Sequence, residues 1–298
     1  MPWIGLISSV GCAAILLYLL KKCLKQKLVI RSKTVLITGS SSGLGEALAR
    51  RFFSEQCQLI LVARRLDRLE KLRNELMASE PSYPKPHLIQ LDLCELSTLN
   101  DKLKNIGSVD ILINNAGQSQ RGSVIETKFD IDTQIINLNY LSLVALTKIV
   151  LSSMTERRTG CIVNISSLQG LIAVPERSTY SASKHAVQAF SDSLRMELAE
   201  LGLNDIHICV ISPSYIKTEL AQQASSAANK TSNNMSSAYE PSYVAERILK
   251  AIQYKETDVL ICPFHQRLVI WLRFFWPYLF FRLMIIRNKR LKSRQSNR

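Results

Sequence analysis

A tyrosine and a lysine stand four positions apart in Tyr180-Ser-Ala-Ser-Lys184, and Ser167, the second of a serine pair, lies thirteen residues upstream of the tyrosine. On a helix, positions i and i+4 share a face, so this spacing sets the lysine one turn from the phenol ring. A phenol with its ordinary pKa of about 10 exchanges protons poorly at neutrality. A nearby ammonium, joined by the positive charge of an oxidised nicotinamide, favours the phenolate and lowers that value. Tyr180 then serves as general acid when a carbonyl is reduced and as general base when an alcohol is oxidised. Ser167 is expected to touch the substrate, hydrogen-bonding its carbonyl oxygen and stabilising charge as hydride arrives. Tyr-x-x-x-Lys alone arises by chance in many helices; it gains weight from the motifs that precede it.

The first of these is Thr38-Gly-Ser-Ser-Ser-Gly-Leu-Gly45, between a short apolar run and an amphipathic stretch. Glycines let the backbone turn tightly and approach a pyrophosphate, and the helix that follows offers free N–H groups and partial positive charge. Gly39, Ser41, Ser42, Gly43, Leu44 and Gly45 are the expected cofactor contacts. About twenty residues on, Leu59-Ile-Leu-Val-Ala63 runs into Arg64-Arg65 with no acid at the turn. An acid there would bind the ribose hydroxyl of NAD, whereas arginine accommodates the 2′-phosphate of NADP. NADP(H) is therefore expected over NAD(H), with Arg64 as the contact; an exposed pair at a helix start is the plainer alternative. Asp67 suits the first turn of that helix, where negative charge favours the dipole. Asp92 is either an acceptor for adenine or a cap for the segment from Glu95. In Asn114-Asn115-Ala116-Gly117 the small residues leave room for a cofactor, and the asparagines can satisfy backbone groups.

Positioning these groups requires a sheet. From Lys33 the chain alternates short β-branched runs with longer amphipathic stretches, the pattern of parallel strands with crossover helices. Strands are predicted at Thr34–Thr38, Gln58–Val62, His87–Leu91, Val109–Ile113, Cys161–Ile165, Ile206–Ile211 and Asp258–Cys262, and helices at about 43–54, 66–78, 95–106, 130–154, 178–201 and 242–254. The expected fold class is α/β: one doubly wound Rossmann-type domain with a parallel seven-stranded sheet, plus an N-terminal transmembrane helix. Residues 221–240 are small and polar, either a surface insertion or a flap over a cleft.

The net charge of +14 is concentrated at the ends: residues 1–33 hold six lysines and arginines and no acid, and residues 282–298 hold seven and no acid. A nucleic-acid binder needs its basic stripe on the folded surface. Here the excess adjoins apolar segments, as in attraction to anionic headgroups, so no nucleic-acid partner is expected. Trp3 to Leu20 is uncharged for 18 residues and is followed by Lys21-Lys22, just long enough to span a bilayer core. Charges that follow the apolar run, and the lack of a small-x-small site at its end, favour an uncleaved anchor over a signal peptide. The positive-inside rule then places the following domain in the cytosol. The sequons Asn229-Lys-Thr231 and Asn234-Met-Ser236 should accordingly be bare. Leu268–Ile286 is rich in Trp, Phe, Tyr and Leu but interrupted by Arg273, Pro277 and Arg282. A central arginine costs a spanning helix about 2.5 kcal/mol or more, so this segment is expected to lie in the headgroup interface, or else to pack on the domain or a partner. The organisation is thus anchor at 1–22, dinucleotide-binding domain at 33–265, and membrane-proximal tail at 266–298. Seven cysteines are scattered singly, with no Cys-x-x-Cys pair, and four histidines lie far apart, so neither a disulfide framework nor a metal site is implied.

Over about residues 33–265 the glycine loop, Asn114-Asn-Ala-Gly117, Ser167 and Tyr180-x-x-x-Lys184 together resemble the short-chain dehydrogenase/reductase family. The resemblance implies an NAD(P)-dependent oxidoreductase, with Asn139, Ser167, Tyr180 and Lys184 catalytic. Asn139 in Ile-Asn-Leu-Asn139-Tyr-Leu-Ser, and less readily Asn137, matches the family asparagine that holds a water between lysine and solvent. The likeness also implies cofactor contacts from Asn115, Ala116, Gly117, Tyr180, Lys184, Pro213 and Thr218, and a homodimer packed through helices 130–154 and 178–201. The family usually has Pro-Gly after the sixth strand; here Pro213-Ser214 puts the local geometry in question. Within the family, Arg157-Arg-Thr-Gly160, Ser166-Ser-Leu-Gln-Gly170 and Thr179-Tyr-Ser-Ala-Ser-Lys-His-Ala186 look like single-pass membrane reductases. That likeness implies endoplasmic reticulum or peroxisome membranes and acyl- or alkyl-dihydroxyacetone phosphate as substrate; the anchor and the aromatic tail, which would hold a cleft near a bilayer, point more broadly to a lipophilic ketone or aldehyde such as a lipid, a retinoid or a steroid. A non-catalytic nucleotide-sensing scaffold on the same fold is the competing expectation.

Overall fold

The structure is a computed structural model that describes residues 27–104, 106–218 and 238–296. Its strands are β1 (Thr34–Thr38), β2 (Gln58–Ala63), β3 (His87–Gln90), β4 (Ile111–Asn114), β5 (Gly160–Ile165), β6 (Ile206–Pro213) and β7 (Asp258–Ile261). They form one sheet in the order β3-β2-β1-β4-β5-β6-β7, parallel throughout. Strands covered on both faces read as continuous apolar runs, and Val35, Leu36 and Ile37 of β1 are all fully buried.

Helices α1 (Gly43–Ser54), α2 (Leu66–Ser79), α3 (Leu99–Leu103), α4 (Phe129–Ile136), α5 (Ser142–Arg157), α6 (Ser178–Glu200) and α7 (Pro241–Gln253) supply the crossovers. Leu48 and Phe52 of α1, Leu69 and Leu72 of α2, and Ile248 and Ile252 of α7 close one face of the sheet. Leu99 and Leu103 of α3, Leu146 and Val150 of α5, and Leu194 and Leu198 of α6 close the other. The chain departs from β1 in opposite directions, toward β2 and toward β4, which opens a crevice at their carboxyl ends. Cys57, Cys161 and Cys209 are buried in this core as small apolar residues.

Two stretches differ from the sequence pattern. The helix expected over 130–154 is broken at Asn137–Leu141, where one turn is π-helical, and the segment expected at 95–106 is a 3₁₀ turn, Leu96–Thr98, followed by short α3. The combined run Phe129–Arg157 is the one described helix long and apolar enough to cross a membrane, yet Leu138, Leu146 and Val150 face the sheet. The N-terminal run Trp3–Leu20 and the loop 221–240 with its sequons lie outside the described residues, apart from Ala238, Tyr239 and Glu240 at the loop's end. The tail forms two helices, α8 (Phe264–Phe275) and α9 (Pro277–Ser296).

Candidate active site

The glycine loop sits in the crevice because Gly39 and Gly43 adopt positive φ, +66° and +58°, which a side chain would strain. A Cβ at Gly45 would come within 2.2 Å of the Gly39 oxygen, so α1 can start this close to β1 only with glycine there. Ser42 precedes α1 in extended conformation and Leu44 is buried behind it. Thr38 at the end of β1 ties this loop to the next: its Oγ1 accepts from the N–H groups of Asn115 and Ala116, each at 3.0 Å. Asn115 Nδ2 donates to the Thr38 oxygen at 2.8 Å. Asn114 reaches the other way, donating to Thr147 and to Asn164 Oδ1 at 2.8 Å, a buried polar link between β4 and β5.

At the end of β2 the two arginines divide. Arg65, and not the expected Arg64, crosses to the glycine loop, donating to Ser41 Oγ at 3.1 Å and Ser42 Oγ at 3.0 Å. Arg64 turns toward Asp92, 3.9 Å away. Asp92 acts as the turn cap, its Oδ1 accepting from Cys94 N at 2.9 Å. The divergence is a register effect: consecutive residues leaving a strand point to opposite sides.

Ser167 follows β5 and opens a 3₁₀ turn, Leu168–Gly170, its Oγ accepting from Gln169 N at 3.2 Å. Gly170 lets that turn rest on α6, since a Cβ there would meet the Lys184 oxygen at 2.7 Å. Tyr180 and Lys184 lie on the first turns of α6, with Lys184 almost wholly buried. The Lys184 ammonium donates to the Ile165 oxygen at 2.8 Å, and burial brings its pKa down to about 8. Burial pushes the Tyr180 phenol up; its hydrogen bond with Ser167 and the nearby Arg177 charge oppose that, and Tyr215 adds to it. Lys184 gives one of its three N–H donors to a β5 carbonyl, and burial outweighs the groups that lower the Tyr180 phenol.

Asn139 lies inside the π turn and is buried. Its side chain clamps Gln118, accepting from N at 2.7 Å and donating to O at 2.9 Å, and donates to Ser183 Oγ at 3.1 Å. Gly117 faces both Asn139 and Lys184: a Cβ there would lie 3.2 Å from Asn139 Oδ1 and 3.5 Å from Lys184 Nζ. Thr218 stands over the glycine loop, its methyl 3.0 Å from where a Gly43 Cβ would be. Pro213 closes β6 opposite Ile261, and Ser214 points away from the crevice, its Oγ donating to Gln266 of α8 at 2.7 Å.

Two arginines that sequence reasoning did not single out complete the cleft. Arg177, just before α6, donates to Ser119 Oγ at 2.7 Å and lies 6.0 Å over the Tyr180 ring. Arg121 is half-buried beside it; burial and the Arg177 charge lower its pKa, while Tyr215 and Glu176 act the other way. The Arg121 Nε finds no hydrogen-bond partner among the described residues. Neither arginine belongs to a spacing motif, so only the fold reveals the pair.

A doubly wound parallel sheet, a glycine cradle at its switch point and a Ser–Tyr–Lys cluster beside it define a short-chain dehydrogenase. Residues 33–229 match the family model described as short chain dehydrogenase, and the chain belongs to that family of enzymes. It is 44% identical over 275 residues to dehydrogenase/reductase SDR family protein 7-like of Anopheles gambiae, covering 89% of this chain and 86% of that protein. It is 38% identical to dehydrogenase/reductase SDR family member 7B of Xenopus laevis, covering 96% and 90%. Among solved structures it is similar to a short-chain dehydrogenase from Sphingobium yanoikuyae in complex with NADPH: TM-score 0.69, 30% identity, 76% of this chain and 87% of that one. A Burkholderia phymatum family structure in complex with NAD shares the fold, with TM-score 0.72 at 21% identity over 83% and 94% of the two chains.

Proposed function

We propose that the chain is a membrane-anchored, NADP(H)-dependent oxidoreductase that interconverts a carbonyl and an alcohol on a lipophilic substrate, with Tyr180 as general acid and base. The observation that carries this reading is the meeting of Ser167, Tyr180 and the buried Lys184 at the end of β5, where the Ser167 hydroxyl acts on the phenol. A bound nicotinamide supplies or takes up the hydride. The glycines at 39, 45 and 117 let the loops around the crevice pack this closely, since side chains there would crowd Ala116, the Gly39 oxygen and Asn139.

The residues divide the remaining work. Ser167 presents its hydroxyl to the substrate oxygen, and Tyr180 gives that oxygen its proton in reduction or takes it in oxidation. Lys184 holds the end of β5 near Ser167, and Asn139 holds Gln118 beside it. Arg65, held by two serines of the loop at the end of β2, supports NADP(H) over NAD(H), because an arginine after the second strand can pair with a 2′-phosphate.

Arg121 and Arg177 bear on the choice among lipophilic substrates. Two guanidiniums beside the phenol, one with an unsatisfied Nε, favour acyl- or alkyl-dihydroxyacetone phosphate over a retinoid or steroid, which carries no anionic group.

The reading extends to an anchor at Trp3–Leu20 in the endoplasmic reticulum or peroxisome membrane with the domain in the cytosol, and to a homodimer. Exposed Ile131, Leu141 and Met196 on the α4–α6 side support the dimer. Bare sequons Asn229 and Asn234 are required by a cytosolic domain; a glycosidase-sensitive mass shift would reverse it. The decisive experiment is NADPH oxidation by the purified chain against a carbonyl panel. Turnover lost in Tyr180→Phe supports the enzyme; no turnover on any carbonyl, with the cellular role untouched by Tyr180→Phe, would leave a scaffold.

A further inference from the structure

The tail carries a second inference, independent of the chemistry above. We propose that the α8–α9 hairpin lies in the headgroup layer of an anionic phospholipid bilayer and holds the Ser167 turn at that surface.

One face of the hairpin is already occupied. Ile270 of α8 and Phe280 of α9, the latter 1% exposed, pack into a cluster with Leu168, Ile172 and Cys262. Leu168 is the residue after Ser167 and begins its 3₁₀ turn. Ser214, next to the strand end at Pro213, is bonded to Gln266 at the start of α8. The hairpin is thus fixed to the wall of the cleft and cannot turn its other faces inward.

Those faces are apolar and aromatic. Trp271, Phe274, Trp276 and Tyr278 are each more than 60% exposed, and Leu283, Ile285 and Ile286 continue the surface along α9. Contiguous apolar surface of this kind marks an interaction site, whereas single exposed residues do not. Its rings are those favoured at a bilayer interface, where an amphipathic ring meets both acyl chains and water.

Charge selects the occupant. No acidic residue follows Asp258, and nine lysines and arginines do. A second copy would bring the same cations against this face, and like charges brought together repel. Anionic headgroups neutralise them instead. Arg273 lies 5.1 Å over the Phe281 ring and Arg282 5.7 Å over Tyr278, so these guanidiniums sit against the rings they accompany. Long basic side chains of this kind reach from an apolar face to the headgroups. Arg273, Pro277 and Arg282 break the apolar run, so the hairpin lies along the surface and does not cross it.

The chain has three tryptophans, so Trp3→Phe leaves Trp271 and Trp276 as reporters. The full Trp3→Phe chain is reconstituted into phosphatidylcholine vesicles with and without phosphatidylserine, with brominated acyl chains as quenchers. Tryptophan quenching that is severalfold stronger with phosphatidylserine, and that falls in Arg287→Glu/Lys289→Glu/Arg290→Glu, is the expected result. No quenching in either vesicle overturns the proposal, as does equal quenching in both. Blue-shifted emission without quenching, with the hairpins cross-linking between copies, assigns the face to a dimer and overturns it too. Slowed amide hydrogen exchange at Leu168–Ile172 in the phosphatidylserine vesicles is expected; unchanged exchange there overturns the hold on the Ser167 turn. Neither readout requires turnover, so failure of the oxidoreductase reading would be recognised separately.

Discussion

Lys184 donates its ammonium to the main-chain oxygen of Ile165 at 2.8 Å, tying α6 to the strand whose end presents Ser167. The same burial that makes this bond local makes the charge costly, and the lysine's pKa falls from 10.5 to about 8. Between those values the unfolded chain binds a proton that the native chain does not, so stability rises with pH across that window. The gain is on the order of 3 kcal/mol at ~1.4 kcal/mol per unit. Urea unfolding of the chain in detergent, from pH 8 to 10.5, should show the rise. Lys184→Met should flatten it; an equal rise in the variant would assign the effect to another group.

Tyr180→Phe removes the proton and keeps the ring. Loss of a positioned acid should lower kcat for carbonyl reduction by about a hundredfold or more, while NADPH affinity, read by fluorescence titration, stays within about twofold. Because the wild-type phenol is held above its ordinary value, the reductive rate should not fall through neutrality for lack of a protonated donor. A variant retaining more than about a tenth of wild-type kcat would exclude Tyr180 from proton transfer.

The division between Arg64 and Arg65 separates two variants one residue apart. Arg65→Ala should weaken NADPH binding by about ten- to a hundredfold, the loss of a charged hydrogen-bonding group, with little change for NADH. Arg64→Ala should shift both cofactors by less than about threefold, since its nearest acid is Asp92 at 3.9 Å. Isothermal titration of both cofactors distinguishes the two; the reverse ranking would return the role to Arg64.

Arg121→Gln and Arg177→Gln test the cationic wall of the cleft. Each should raise KM for a phosphate-bearing ketone by about tenfold and leave KM for a neutral ketone of equal chain length nearly unchanged. A parallel loss on both substrates would mean that the arginines only support the cleft wall.

Asn139 spans the π turn and the Gln118 backbone. Asn139→Leu leaves the Gln118 N–H and C=O without these partners and should cost about 1–3 kcal/mol per group in unfolding experiments. Stability within about 0.5 kcal/mol of wild type would show that water replaces the amide.

Much of this was legible locally. Thr34–Thr38 and Gly43–Ser54 have the predicted bounds, because alternation of buried strand and amphipathic helix is written in neighbouring residues. The glycine loop was equally readable, since tight turning and close approach are properties of glycine itself. The π turn at Asn137–Leu141 was not: the apolar pattern runs on through it, and the break shows in the backbone bonds.

The sequence by itself determined which chemical groups this protein carries, in which order, and on which strands and helices. Tertiary structure decided their partners: Lys184 with Ile165, Arg65 with Ser41 and Ser42, Arg121 beside Arg177, Ser214 turned to Gln266, and Phe280 beneath the Ser167 turn. The reason is physical. Helical and strand periodicity depend on residues within one turn or pleat, whereas desolvation and charge coupling depend on whatever distant segment the fold packs against them.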